Sequence, residues 1–220
     1  MRAVVMRARG GPEVLEVADL PVPEPGPKEV RVRLKAAALN HLDVWVRKGV
    51  ASPKLPLPHV LGADGSGVVD AVGPGVEGFA PGDEVVINPG LSCGRCERCL
   101  AGEDNLCPRS QILGEHRHGT YAEYVVLPEA NLAPKPKSLS FEEAAAIPLT
   151  FLTAWQMVVD KLGVRPGDDV LVMAAGSGVS VAAIQIAKLF GARVIATAGS
   201  EDKLRRAKAL GADETVNYTH

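Results

Sequence analysis

Apolar and polar side chains alternate along Val30-Arg-Val-Arg-Leu-Lys35, the pattern of a half-buried strand. Val68-Val69, Glu84-Val-Val-Ile87 and Tyr121-Ala-Glu-Tyr-Val-Val126 are further short strand candidates. Turn signals separate them: Pro25-Gly26, Gly73-Pro74-Gly75 and Pro81-Gly82-Asp83. Many short strands joined by Gly/Pro turns predict a small barrel or sandwich over about the first 130 residues.

The character changes near Ser140. Ser140-Phe-Glu-Glu143 reads as a capping box, in which the hydroxyl and the carboxylate satisfy orphan amides at a helix start. Pro148 interrupts this helix, Leu149 to Lys161 resumes it, and Gly163 and Pro166-Gly167 then break the chain. From Asp169 the pattern becomes β-α-β-α. Val170-Leu-Val-Met-Ala174 is continuously apolar, as a parallel strand buried on both faces should be. A glycine turn leads into an apolar helix that stops before Gly191. Arg193 to Thr197 is a second strand, Glu201 to Leu210 a charged amphipathic helix followed by Gly211, and Thr215 to Tyr218 the start of a third strand. This is one βαβ half of a doubly wound sheet. The first strand is left with an apolar parallel edge, so the sequence reads as the N-terminal part of a longer polypeptide or a truncated product.

Composition narrows the classes. With 24 Lys plus Arg against 26 Asp plus Glu, the formal net charge is −2, which argues against a nucleic-acid or anionic-membrane binder. The hydrophobic fraction of 46% is ordinary for a globular chain. No apolar run approaches the roughly 18 residues that span a bilayer, and the first residues carry no signal-peptide pattern. The expected location is therefore the cytoplasm.

All four cysteines lie together: Cys93, Cys96, Cys99 and Cys107. In a reducing compartment this spacing points to one tetrahedral zinc rather than disulfides. Four protein ligands leave no position for water, so such a zinc is structural, one per chain. Gly94 and Gly102 let the backbone curl, and Arg95 and Arg98 are expected to offset thiolate charge. Four reduced thiols or a redox pair is the alternative.

Ala175-Gly-Ser-Gly-Val-Ser180 sits where a strand turns into a helix, the place of a dinucleotide fingerprint. Small residues there let phosphate oxygens reach helix N-terminal amides, which makes Gly176, Ser177, Gly178 and Val179 candidate cofactor contacts. The match is degenerate: the three glycine positions of the fingerprint hold Ala175, Ser177 and Ser180. A plain βα turn is the alternative. About 20 residues on, where an acid would accept from the adenosine ribose, the chain has Ala198-Gly-Ser200, then Lys203, Arg205 and Arg206. That favours NADP(H) over NAD(H), with Ser200 and Lys203 at the 2′-phosphate.

Together these residues resemble the medium-chain dehydrogenase/reductase family of zinc alcohol dehydrogenases and zinc-free quinone oxidoreductases. The similar segments are Pro25 to Val32, Gly62 to Val69, Val76 to Val85, Gly119 to Tyr124, Val170 to Tyr218 and the cysteine lobe. The resemblance implies a GroES-like β-barrel catalytic domain over residues 1–148, with a zinc lobe at 91–108. It implies the first half of a Rossmann cofactor domain over 149–220. It also implies a small-molecule substrate and a homodimer or homotetramer. The catalytic-zinc pattern breaks. Where the zinc enzymes have Cys-His-x-Asp, Gly-His-Glu and a third Cys, this chain has Asn40-His41-Leu42-Asp43, Gly62-Ala63-Asp64 and Leu149. His59, His41 and Asp64 are the residues from which a substitute site would have to be built. In the quinone-oxidoreductase branch the residue matching Asn40 contacts the nicotinamide end of NADPH, and those matching Thr153, Lys203 and Tyr218 also face the cofactor. Thr153 bonding its own helix backbone, and Tyr218 as a plain strand aromatic, are the alternatives.

The expectation is an NADPH-dependent reductase passing hydride to a quinone, an enone or another activated double bond. Asn40 binds at the reacting end; Asp43, His41 or water delivers the proton. An alcohol/aldehyde dehydrogenase with a rearranged metal site, and a non-catalytic NADP-binding sensor or structural protein, are the competing readings.

Overall fold

The alternation at Val30 belongs to a ten-residue strand whose Val30 and Val32 are wholly buried. The computed structural model describes residues 1–219. It divides into one unit of Met1–Pro148 and a second beginning at Leu149. The first unit holds β1 (Arg2–Met6), β2 (Leu15–Asp19), β3 (Glu29–Ala38), β4 (His59–Val60), β5 (Asp64–Val72) and β6 (Glu84–Ile87). It continues with β7 (Gly90–Leu91), β8 (Gln111–Ile112), β9 (Tyr124–Pro128) and β10 (Leu132–Pro134). Its helices are α1 (His41–Lys48), α2 (Glu97–Leu100) and α3 (Phe141–Ala145).

Two larger sheets carry this unit, beside the two-stranded β7-β8 pair. One is five-stranded and antiparallel in the order β10-β6-β5-β3-β9; the other has the order β2-β1-β4. Val30, Val32, Val69, Val85, Ile87, Val125 and Leu127 pack into one core. Each such side chain contributes about 1.5–3 kcal/mol by leaving water. The expected closed barrel is not formed among the described residues: β10 and β9 are edges of an open sheet. The strand expected at Tyr121 starts three residues later. Tyr121 and Ala122 leave the β3 ladder and turn to β1 instead, through an Ala3–Ala122 bridge and a Val4 amide donating to the Tyr121 carbonyl at 2.7 Å. The hairpin of β1 and β2, which no clear alternation announced, is thereby tied to the larger sheet.

The capping box before α3 is made as expected. The Ser140 amide donates to Glu143 Oε2 at 2.9 Å, and the Glu143 amide donates to Ser140 Oγ at 3.2 Å. The helix expected from Leu149 to Lys161 instead starts at Pro148 as α4 (Pro148–Trp155), then widens into a π-helix over Gln156–Lys161. Proline is tolerated in the first turn of a helix because the amide it lacks would have no partner there.

In the second unit, β11 (Asp169–Val172), β12 (Arg193–Ala198) and β13 (Glu214–Asn217) form a parallel sheet in sequence order. Helices α5 (Gly178–Leu189) and α6 (Glu201–Ala209) both pack on β12. Ala182, Ala183 and Ala187 let α5 approach closely, and Ile184, Val194 and Leu204 fill the core. Gly191 and Gly211, at φ +76° and +107°, are the left-handed residues that end the two helices. Strand β11 pairs only with β12 among the described residues, and Leu171 beside that edge is exposed.

Three glycines knot the first unit. A Cβ on Gly119 would lie 2.1 Å from the Gly62 carbonyl oxygen, and one on Gly114 2.4 Å from the same atom. Gly62 itself has φ +102°, and its Cβ would meet Thr120 Oγ1 and Tyr121 Cδ1 at 2.5 Å. Gly82, at φ +101°, has nothing within 4 Å of a Cβ, so it carries the backbone strain alone. Gly82→Ala is expected to cost about 1–2 kcal/mol in urea unfolding, and Gly62→Ala at least about 3 kcal/mol because overpacking adds to that strain. Equal losses would contradict the knot.

Candidate functional site

Strand β3 runs out at Ala38, and Asn40 is the N-cap of α1. Asp43 is the third helical residue and only 6% exposed. Its Oδ2 accepts from the Asn40 backbone amide at 2.7 Å and from the Tyr121 hydroxyl at 2.8 Å; its Oδ1 accepts from the Gly62 amide at 3.1 Å. The α1 N-terminus favours the negative charge. Burial first, and then the Asp43 carboxylate, push the Tyr121 hydroxyl far above its ordinary pKa, so it stays a donor. Asp64, 1% exposed at the start of β5, accepts from Asn40 Nδ2 at 2.8 Å. The Asp64 carbonyl accepts from Thr120 Oγ1 at 2.7 Å.

Asn40 and Asp43 are therefore together. His41 is exposed on α1, its ring edge-on to Trp45 at 4.8 Å. His59 is buried, and its Nε2 donates to the Gly114 carbonyl at 3.0 Å. His118 Nδ1 accepts from the Val60 amide at 3.2 Å. Burial lowers both imidazoles, His59 to about 4 despite the Gly114 hydrogen bond, so both are neutral at pH 7. Ala63 is wholly buried and offers no donor atom. The residues present do not fit a catalytic zinc of the Cys-His-Cys kind. Nor do His41, His59 and Asp64 converge: among the described residues, the cysteines form the one group of three or more metal-ligating side chains close enough to share an ion.

The cysteine lobe is closed at its base by β7 and β8, which pair antiparallel. Leu91 and Leu113 anchor that base in the core. All four Sγ atoms lie within 4.8 Å of one another; Cys93–Cys99, Cys96–Cys99 and Cys96–Cys107 are 3.9, 3.4 and 3.8 Å apart. A tetrahedron with zinc–sulfur bonds of about 2.3 Å has edges of about 3.8 Å, so these thiols fit the metal. Gly94 and Gly102 adopt φ +67° and +77°, the curl expected of them. Arg98 does not serve the thiolates: it pairs with Glu103 at 2.6 Å, a nearer carboxylate. Backbone amides take that place. The Arg95 amide, foremost, lowers Cys93 to about 6, and the Arg109 amide donates to Cys107 Sγ at 3.4 Å. At Cys96 the Cys99 amide pulls downward, but burial and the shared protons of Cys99 and Cys93 prevail and raise it to about 11.

In the second unit, Ser177 caps α5: its Oγ accepts from the Ser180 amide at 3.2 Å, and Ser180 Oγ donates to the Met173 carbonyl at 2.8 Å. The amides of Gly178 and Val179 open the helix, where no preceding turn can bond them. Lys203 lies along Gly176, its Cδ 2.8 Å from where a Cβ would be. Tyr218 lies over Gly199 in the same way, with Cε2 at 3.1 Å. Ser200 stands at the N-cap of α6, but its hydroxyl does not cap the helix. Arg205 and Arg206 both pair with Asp202, at 3.1 and 3.0 Å. The structure thus places Lys203 by the glycine turn, and Tyr218 by the residues that follow β12. Thr153 is exposed, and its Oγ1 donates to the Leu149 carbonyl at 2.6 Å, the local bond that was its alternative.

An open antiparallel β unit with a four-cysteine lobe, followed by a parallel βαβαβ unit with a small-residue turn, defines a two-part dehydrogenase/reductase architecture. Residues 26–137 match the family described as alcohol dehydrogenase GroES-like domain, and residues 178–220 match that described as zinc-binding dehydrogenase. The chain belongs to the medium-chain dehydrogenase/reductase family. It is 41% identical to a zinc-type alcohol dehydrogenase-like protein of Schizosaccharomyces pombe, over 99% of this chain and 62% of that protein. It is 37% identical to a quinone oxidoreductase of Pseudomonas aeruginosa, over 100% of this chain and 59% of that one. Among solved structures, one described as an NAD-dependent alcohol dehydrogenase is 99% identical, with a TM-score of 0.98, over all of this chain and 64% of that chain. A cobalt- and zinc-bound alcohol dehydrogenase of Pyrobaculum aerophilum is 37% identical, with a TM-score of 0.91, over 99% of this chain and 65% of that one. The chain therefore spans about three fifths of the length of these relatives. No helix of the described residues is long and apolar enough to cross a membrane.

Reading residues by chemistry missed Tyr121, Thr120 and Gly62 as parts of the site. Their signal was weak: Gly62 and Thr120 sit in segments singled out only for their resemblance, and Tyr121 was read only as part of a strand.

The two measurable consequences concern pH and metal. The unfolded chain holds the His59 proton with a pKa near the usual 6.5, the folded chain only near 4. Stability from this group is thus complete above about pH 6.5 and falls as pH drops toward 4, by about 3 kcal/mol in all. In urea unfolding at pH 7 and pH 4, His59→Gln should lose correspondingly less across that interval; an unaltered loss would contradict it. Elemental analysis of Cys107→Ser should show zinc falling from about one per chain to near none with a lower Tm; zinc retained at one per chain would refute the four-thiolate site.

Proposed function

We propose that the protein is an NADPH-dependent oxidoreductase that transfers hydride to a quinone, an enone or another activated double bond, with a structural but no catalytic zinc. The observation that carries this reading is the state of the Asn40 site. Asn40 is committed to Asp64, and Ala63 is buried without a donor atom, where a zinc enzyme needs ligands. With no Lewis acid to polarise a carbonyl, substrates that are already electron-poor are the easier targets. When bound, NADPH supplies the hydride. The amides of Gly178 and Val179 would receive its pyrophosphate at the start of α5, beside Ser177. Lys203, held along Gly176, and Ser200, whose hydroxyl is not spent on capping, support a 2′-phosphate contact, with Tyr218 nearby. Asn40 would bind at the nicotinamide end. Of the candidate proton sources, Asp43 is already held by three donors, while His41 is exposed and open to solvent. That favours His41 or water. The protein would act in the cytoplasm on a small molecule, as a homodimer or homotetramer.

A second reading, an NAD-dependent alcohol dehydrogenase, is favoured by the description of the 99% identical solved chain. Purified protein assayed with NADPH and NADH against quinones, enones, aldehydes and alcohols separates the two. The proposal expects turnover of quinones or enones with NADPH. Loss of a charged phosphate contact in Lys203→Ala should raise the KM for NADPH by about tenfold or more, and that for NADH by less than about twofold. Alcohol oxidation with NAD that requires a second zinc per chain would replace this reading by the other.

A further inference from the structure

Asn40 is restrained twice. Its backbone amide is held by Asp43 Oδ2 at 2.7 Å, and its side-chain nitrogen by Asp64 Oδ2 at 2.8 Å. A carboxamide can turn over about its last torsion, and a carboxylate acceptor on one side selects the orientation with nitrogen facing it. The two acids are themselves placed by one segment. Tyr121 donates its hydroxyl to Asp43, while Thr120, next to it, donates to the Asp64 carbonyl at 2.7 Å. The Tyr121 main chain is fixed on both sides: its amide donates to the Leu61 carbonyl at 3.0 Å, and its carbonyl accepts from the Val4 amide at 2.7 Å. The ring therefore reaches Asp43 from a rigid base. Asp43 also accepts from the Gly62 amide at 3.1 Å, two residues before Asp64, so the carboxylate registers the strand that bears Asp64 against the helix that begins at Asn40. Of the three donors to Asp43, only Tyr121 is a side chain and can be deleted without altering the backbone.

We infer that Tyr121 and Asp64 are positioning residues that fix the Asn40 carboxamide for the reaction. Neither is required to touch substrate: Tyr121 acts through Asp43, and Asp64 acts on Asn40 directly. The catalytic part of this inference rests on the proposed oxidoreductase activity; the orientation of Asn40 does not.

The test is Tyr121→Phe, with Tyr124→Phe as control and Asp64→Asn as a second variant that keeps shape. Two quantities are read: exchange of the Asn40 side-chain amide protons by NMR, assigned by their absence in Asn40→Ala, and kcat against cofactor KM. Losing one hydrogen bond to a buried carboxylate should speed Asn40 exchange about tenfold or more and lower kcat about tenfold, with KM moving less than about threefold. Asp64→Asn should speed the same exchange, and Tyr124→Phe should change neither quantity. Wild-type exchange in Tyr121→Phe would overturn the inference, and so would faster exchange with kcat unchanged. If the wild-type protein turns over no substrate of the panel, the proposed function falls. Exchange then decides alone: unchanged overturns the positioning, tenfold faster supports it.

Discussion

A single buried carboxylate organises the first unit. Asp43 is almost wholly out of water, and an ionised carboxylate there costs several kcal/mol unless donors surround it. Three do, and they come from three stretches far apart in sequence: the α1 N-cap at Asn40, the turn at Gly62 and the segment at Tyr121. Because the three bonds hold one another in register, losing any one leaves charge poorly matched in an apolar setting. The glycine knot is the steric side of this arrangement. Gly62, Gly114 and Gly119 bring backbones so close that no Cβ fits, and that closeness lets the Gly62 amide face the carboxylate.

The metal lobe solves a different problem. Residues between β7 and β8 have few apolar side chains; Leu100 and Leu106 are exposed. Such a loop buries too little surface to offset its ordering entropy, and an ion held by the four thiolates would provide the missing free energy from one point. A closed site of this kind would do no chemistry, so in the proposed reaction the Asn40 site rests on hydrogen bonds. Rate enhancement in such a site comes from orientation, which is why the restraint on Asn40 carries the functional argument.

Much of the fold was legible because its signals are local. Ser140 and Glu143 form the capping box that their spacing announces, Gly191 and Gly211 end helices in the left-handed conformation, and the cysteine spacing converges on one point. What was illegible depends on contacts between distant residues. Tyr121 was expected inside a strand, but its carbonyl accepts from β1 and its hydroxyl reaches Asp43. The expected barrel stays open because barrel closure depends on edge pairing, which no alternation encodes. Arg98 was expected to serve the thiolates, yet Glu103, five residues away, is the better partner. The Asn40 position was read as a departure from the zinc enzymes, and its lock to Asp64 required the structure.

In the proposed enzyme one metal braces the cysteine loop, while the Asn40 site works by hydrogen bonds. Anomalous diffraction from a crystal of the protein with NADPH, collected on both sides of the zinc absorption edge, addresses this directly. The prediction is one peak per chain, centred among the sulfurs of Cys93, Cys96, Cys99 and Cys107. A second peak within bonding distance of Asn40 or Asp64 would contradict it.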